Sequence, residues 1–170
     1  MSHVHDGSIF GPTHPCFGCG PAHPIGFHLA FEREGDEVVT RYTPTDLFQG
    51  PPGIMHGGLV ATLADEIAAW TVIVTLERLG FTSHLEARLK RPVRIGVPVE
   101  GRGKILEVDD GVARIAVKLL QDGAQAFKGE FEFTLMDQAA AERFLGPAMP
   151  ATWAGYARGT GARRGATPAR

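Results

Sequence analysis

The sequence predicts an α+β domain in which one long central helix is wrapped by a curved antiparallel sheet of about six strands. Three observations carry this. The stretch from Leu59 to Leu79 is apolar almost all round, so a helix built from it must be enclosed on most sides. Segments before and after it alternate apolar and polar residues, the period of strands buried on one face. Those segments are joined by the tight-turn pairs Asp110-Gly111 and Asp122-Gly123 and by Glu34-Gly35-Asp36, which favour hairpins and hence antiparallel pairing.

A chain of 170 residues fits one domain with a sizeable core. The 44% hydrophobic and 21% charged residues are ordinary for a globular protein, and a net charge of -2 provides no field to draw in nucleic acid or an anionic membrane. No secretory signal is read in Met1 to Phe10, which lacks a basic stretch followed by an apolar run. Leu59 to Leu79 is long enough to span a bilayer, but Asp65 and Glu66 interrupt it, so a buried core helix is expected. With only two cysteines, Cys16 and Cys19, the chain is expected in a reducing cytoplasm without a disulfide framework.

Residues 1–26, rich in Gly, Pro and His, read as an irregular arm. Residues 27–137 hold the domain proper. Phe27, Leu29 and Phe31 begin the first strand, and Glu37 to Thr43 pairs back on it. Thr43 to Gly53, with three prolines, is a loop. The helix then runs from the His56-Gly57-Gly58 segment to about Leu79, with Gly80 as the residue that ends it. Leu85, Ala87 and Leu89 give the next strand its apolar face, with Pro92 at an edge or bulge. Val97 to Glu107 and two further hairpin strands follow, the last carrying Phe127, Phe131, Phe133 and Leu135. Residues 138–145 suggest a short helix, and Gly146 to Arg170 a mobile tail too poor in apolar residues to offset its ordering entropy. One such protomer leaves a sheet edge and part of the helix uncovered, which predicts a homo-oligomer, either a dimer or a dimer of dimers.

The chemistry concentrates in His56-Gly57-Gly58-Leu59-Val60-Ala61-Thr62-Leu63-Ala64-Asp65. Free N–H groups at a helix start, at the positive end of its dipole, suit a carbonyl oxygen that gains negative charge. A tight loop-to-helix junction would equally use Gly57 and Gly58, and His56 would equally serve as an N-cap. Asp65 is harder to explain away, because a carboxylate in an apolar helix is desolvated unless paired or functional. It lies about 10 Å along the axis from its own Gly57, so only a two-fold partner could oppose the two. Glu66 is rotated by about 100° and would face solvent or an interface arginine.

HGGLVATLADE resembles the signature of the hot-dog thioesterases, in particular the phenylacetyl-CoA thioesterase (PaaI-like) subgroup. Cys16-Phe17-Gly18-Cys19-Gly20-Pro21 with Pro24-Ile25-Gly26 resembles the N-terminal arm of many bacterial members, and the likeness covers roughly residues 15–137. The resemblance implies an acyl-CoA thioesterase that needs no cofactor. Gly57 would donate its N–H to the thioester carbonyl, with Gly58 and His56 shaping that end. Asp65 of the facing subunit would act as general base or nucleophile. Gln49 is the nearest candidate for a supporting side-chain amide, Thr82 or Ser83 for the hydroxyl that holds water, and Glu66 for a neighbouring contact.

Coenzyme A phosphates would find Arg88, Lys90, Arg91 and Arg94 clustered near one strand end. A non-catalytic acyl-CoA-binding protein is the alternative function. A hydratase is disfavoured, since no Gly-Asp-x-Asn-Pro-type segment occurs. His14, Cys16, Cys19 and His23 have ligand-like spacing for zinc, but the arm is read as a metal-free cover of the domain.

Overall fold

The computed structural model describes residues 4–146 and 151–157. Its strands are β1 (Val4–Asp6), β2 (Ala30–Glu34), β3 (Glu37–Tyr42), β4 (Gly80–Leu89), β5 (Val99–Asp109), β6 (Val112–Gln121) and β7 (Ala124–Leu135). Its helices are α1 (Gly57–Leu76), α2 (Gln138–Leu145) and the single turn α3 (Ala154–Ala157). All seven strands pair antiparallel in one sheet of order β1-β2-β3-β5-β6-β7-β4. The turn residues Asp110, Gly111, Asp122 and Gly123 all take positive φ, the handedness that matches strand twist in two-residue hairpins.

The long helix lies against the sheet and fills its concave face. Leu63, Ala64, Ile67, Ala68, Trp70 and Val72 are buried, and Trp70 stacks on Phe31 with ring centroids 4.9 Å apart. Two glycines of β5 make this close seating possible. A Cβ on Gly101 would stand 2.2 Å from Ile67 Cδ1, and one on Gly103 2.1 Å from Thr71 Oγ1. Thr71 cannot easily yield, because its hydroxyl donates to the Ile67 carbonyl at 2.6 Å in the core. Although α1 is long and apolar enough to cross a membrane, it is here the core helix.

Several local expectations change. The sheet has seven strands rather than about six, because Val4–Asp6, expected within an irregular arm, pairs with β2. The helix stops at Leu76, not near Leu79, and Glu77 rather than Gly80 takes the left-handed conformation that ends it. Leu79 is drawn out of the helix by backbone bonds to Tyr156 and Met136, and Gly80 opens β4. Pro92 lies beyond β4, which ends at Leu89. Part of the expected C-terminal tail is packed. Residues 151–157 return over the arm, with the Trp153 ring 4.9 Å from Phe10 and Ala157 fully buried. The remainder of that expected tail, 147–150 and 158–170, lies outside the described residues.

Candidate active site

Two parts of α1 bring together most of the residues singled out from the sequence. At its start, His56 is the N-cap and its Nδ1 accepts the Gly58 N–H at 3.1 Å. That bond occupies one of the helix-terminal donors. Among the described residues, none accepts a hydrogen bond from the Gly57 N–H, which is solvent-exposed. Gln49 is on the preceding loop, where its Oε1 accepts the Gly53 N–H at 3.1 Å. Gly57 also lines an open cleft with Met55, Val60, Leu89, Lys90 and Arg91. Of the four basic residues considered for phosphate, Arg88 lies 3.7 Å from Glu86 and Arg94 pairs with Asp122. Lys90 and Arg91 form no ion pair among the described residues and border the cleft itself.

Two turns further on, Asp65 is partly buried and accepts the Thr82 hydroxyl on Oδ1 at 2.7 Å. Burial pushes its carboxyl above the ordinary aspartate range; the Thr82 bond opposes this and the neighbouring Cys16 adds to it. A β-bulge gives Thr82 and Ser83 different partners. The β4–β7 register shifts between Thr82 and His84, so Ser83 is an extra residue, and its hydroxyl donates to the Glu132 carbonyl at 3.1 Å. The bulge also reconciles two side-chain faces. Alternation alone would put Thr82 and Leu85 on opposite faces, yet Thr82 reaches α1 and Leu89, four residues beyond Leu85, stands 3.3 Å from the Cβ position of Gly57.

Glu66 does not face solvent or an arginine. It lies under the N-terminal arm, where Cys16 Sγ donates to its Oε1 at 3.2 Å. A Cβ on Gly18 would fall 2.1 Å from the Glu66 side chain, so a larger residue there would have to displace the carboxyl group. Burial, reinforced by Cys16, pushes Glu66 up to about 8. Nothing in the sequence pattern marked this contact, since the arm has no periodicity that says which helix face it covers. Cys16 and Glu66 are 50 positions apart, and only the path of the chain between them brings the two together.

Within one chain Gly57 and Asp65 are eight positions apart on the same helix, about 12 Å along its axis. The carboxylate and the free N–H therefore do not meet in one chain. The arrangement offers two half-sites: a positioned carboxylate with a hydroxyl, and an anion-seeking helix start with a basic cleft.

A single helix laid across a curved antiparallel sheet is the hot-dog fold, and this site sits on that fold's central helix. Residues 52–126 match the family model of the thioesterase superfamily. The chain is similar to a thioesterase superfamily protein of known crystal structure, with 28% identity and a TM-score of 0.65 over 72% of this chain and 60% of that one. It is similar in fold to a phenylacetic acid degradation-related protein from Ralstonia eutropha JMP134, at 23% identity and a TM-score of 0.59 over 65% of this chain and 86% of that one. A hypothetical thioesterase from Streptococcus pneumoniae TIGR4, solved with coenzyme A, shares the fold at 19% identity and a TM-score of 0.57, over 62% of this chain and 86% of that one. None of the curated proteins compared with the chain by sequence matches it.

Proposed function

We propose that the chain is an acyl-CoA thioesterase of the PaaI-like group, active as a two-fold oligomer in the cytoplasm. The observation that carries this reading is the Asp65 carboxylate: held by Thr82 at 2.7 Å inside an apolar helix, raised by burial, and paired with no lysine or arginine among the described residues. A structural carboxylate would be paired; a general base is served by this setting. Asp65 takes a proton from water as the water oxygen attacks the thioester carbonyl carbon. The carbonyl oxygen, now negative, is met by the Gly57 N–H of the facing subunit. The C–S bond then breaks and coenzyme A leaves as thiolate. Lys90 and Arg91, on the cleft beside Gly57, suit its phosphates.

The edge strand β4 supports the two-fold assembly. Leu85 and Leu89 are 44% and 54% exposed although they lie on the side of the sheet that carries the helix. A second copy paired along β4 covers them and brings each Asp65 toward the opposite Gly57.

The test is subunit complementation in a thiol-release assay. Gly57→Pro removes the N–H at the first helical position, where proline is tolerated, and His56 already has the extended ψ of 131° that a following proline requires. Gly57→Pro and Asp65→Asn should each be nearly inactive, whereas randomly mixed subunits should recover about a quarter of wild-type activity, from one intact site in half of the dimers. No recovery in verified mixed dimers overturns the shared site. A wild-type protein that binds acyl-CoA and never hydrolyses it, across short, long and aryl acyl groups, favours the binding-protein reading.

A further inference from the structure

The N-terminal arm contains a second constellation that the thioesterase chemistry does not use. His14 and Cys19 are buried and Cys16 is half-buried, and one ligand atom from each lies within 4.8 Å of the others. His23, the fourth residue of the sequence pattern, is elsewhere, packed on Phe17 and accepting the Ile25 N–H. The His14 ring lies tilted against Phe10 and edgewise to Trp153, and its nitrogens have no hydrogen-bond partner among the described residues.

Cys16 and Cys19 sit on one tight turn, and the Cys16 thiol faces the core helix, where it donates to Glu66 Oε1 at 3.2 Å. The Gly20 N–H closes the turn on the Cys16 carbonyl at 2.9 Å, and a Cβ on Gly20 would stand 2.4–2.5 Å from the backbone of His14 and Cys16. A Cβ on Gly18, between the two cysteines, would fall 2.1 Å from the Glu66 side chain, so the turn rests on that carboxyl group. Among the described residues no lysine or arginine forms an ion pair with Glu66 or Asp65.

We propose that His14, Cys16 and Cys19 bind a zinc ion and that the Glu66 carboxylate closes its tetrahedron. Tetrahedral zinc with sulfur and nitrogen ligands sets its ligand atoms about 3.3–3.8 Å apart, a contraction that side-chain rotation supplies from the spacing present. Zinc displaces the thiol protons to solvent, and its double charge offsets most of the charge of two thiolates and one carboxylate. The ion would pin the arm to the core helix at the residue next to Asp65. This inference stands independently of the hydrolytic reading.

Protein expressed in zinc-supplemented medium and purified without chelator should contain about one zinc per chain by elemental analysis. Cys16→Ser combined with Cys19→Ser should abolish it. Protein stripped of metal and reduced should take up Co²⁺ with a thiolate-to-cobalt charge-transfer absorption. His14→Gln and Glu66→Gln, which leave both thiols in place, should each weaken metal affinity by at least about 10-fold. Reduced wild-type protein that holds no zinc and gives no cobalt–thiolate absorption overturns the proposal, as does a double cysteine variant that keeps its zinc. A Cys16–Cys19 disulfide whose reduced form takes up no metal overturns it as well.

Discussion

Replacing Thr82 by valine tests how the structure tunes its carboxylate. Valine keeps the shape and deletes the 2.7 Å hydrogen bond to Asp65 Oδ1. A hydrogen bond to an ionised group contributes about 1.5–3 kcal/mol, and since Thr82 is partly exposed the lower end applies. About 1.5 kcal/mol corresponds to a roughly 10-fold fall in kcat/KM. The pH dependence gives the sharper readout. Asp65 must be ionised to accept a proton, so activity rises with pH through its titration. Burial already raises that titration and the Thr82 bond opposes the rise. Thr82→Val should therefore move the acid limb of kcat/KM to higher pH, and Thr82→Ser should restore it. Ser83→Ala, which loses only a bond to the Glu132 carbonyl, should leave the acid limb in place. A Thr82→Val enzyme with wild-type rate and pH profile, measured by thiol release, would refute the pairing of Thr82 with the reacting carboxylate.

Asp65→Asn should lower turnover by at least about 10² while acyl-CoA still binds, read by thiol release and calorimetry. If Asp65 acts as general base, as proposed, a single turnover in ¹⁸O-labelled water should put the label in the acid product and none in Asp65, checked by mass spectrometry of the peptide; label in Asp65 would make it the nucleophile. Gly103→Ala should destabilise the fold by about 1–3 kcal/mol, since its Cβ displaces the bonded Thr71 hydroxyl, lowering Tm by about 2–12 °C in a thermal melt.

The central helix, the two Asp-Gly hairpins and the His56-Gly57-Gly58 start were legible in the sequence because each is set by local chemistry: an all-apolar run, φ-positive turn residues, and a capping side chain. The rest depended on distant partners. Val4–Asp6 is three residues with a single apolar side chain and becomes a strand only because β2 offers an edge. The helix end at Glu77 is set by packing that turns Leu79 toward Met136 and Tyr156, both far away in sequence. The different partners of Thr82 and Ser83 follow from the bulge, which a strict two-residue alternation conceals. Glu66 was misread because helix geometry gives the direction of a side chain but not what covers it.

The sheet order has a consequence for how the chain is made. The strand that follows the helix, β4, pairs with the last strand, β7, and with no other strand among the described residues. Thr82 is therefore synthesised soon after Asp65 but cannot be seated until Ala124–Leu135 has emerged from the ribosome. During that interval the helix can pack only on the β2–β3 hairpin, through contacts such as Trp70 on Phe31, and the nascent chain displays the rest of its most hydrophobic segment together with an unpaired strand. The carboxylate thus acquires its neighbour as one of the last events of assembly, and a chain truncated before β7 loses that neighbour together with the strand that seats it.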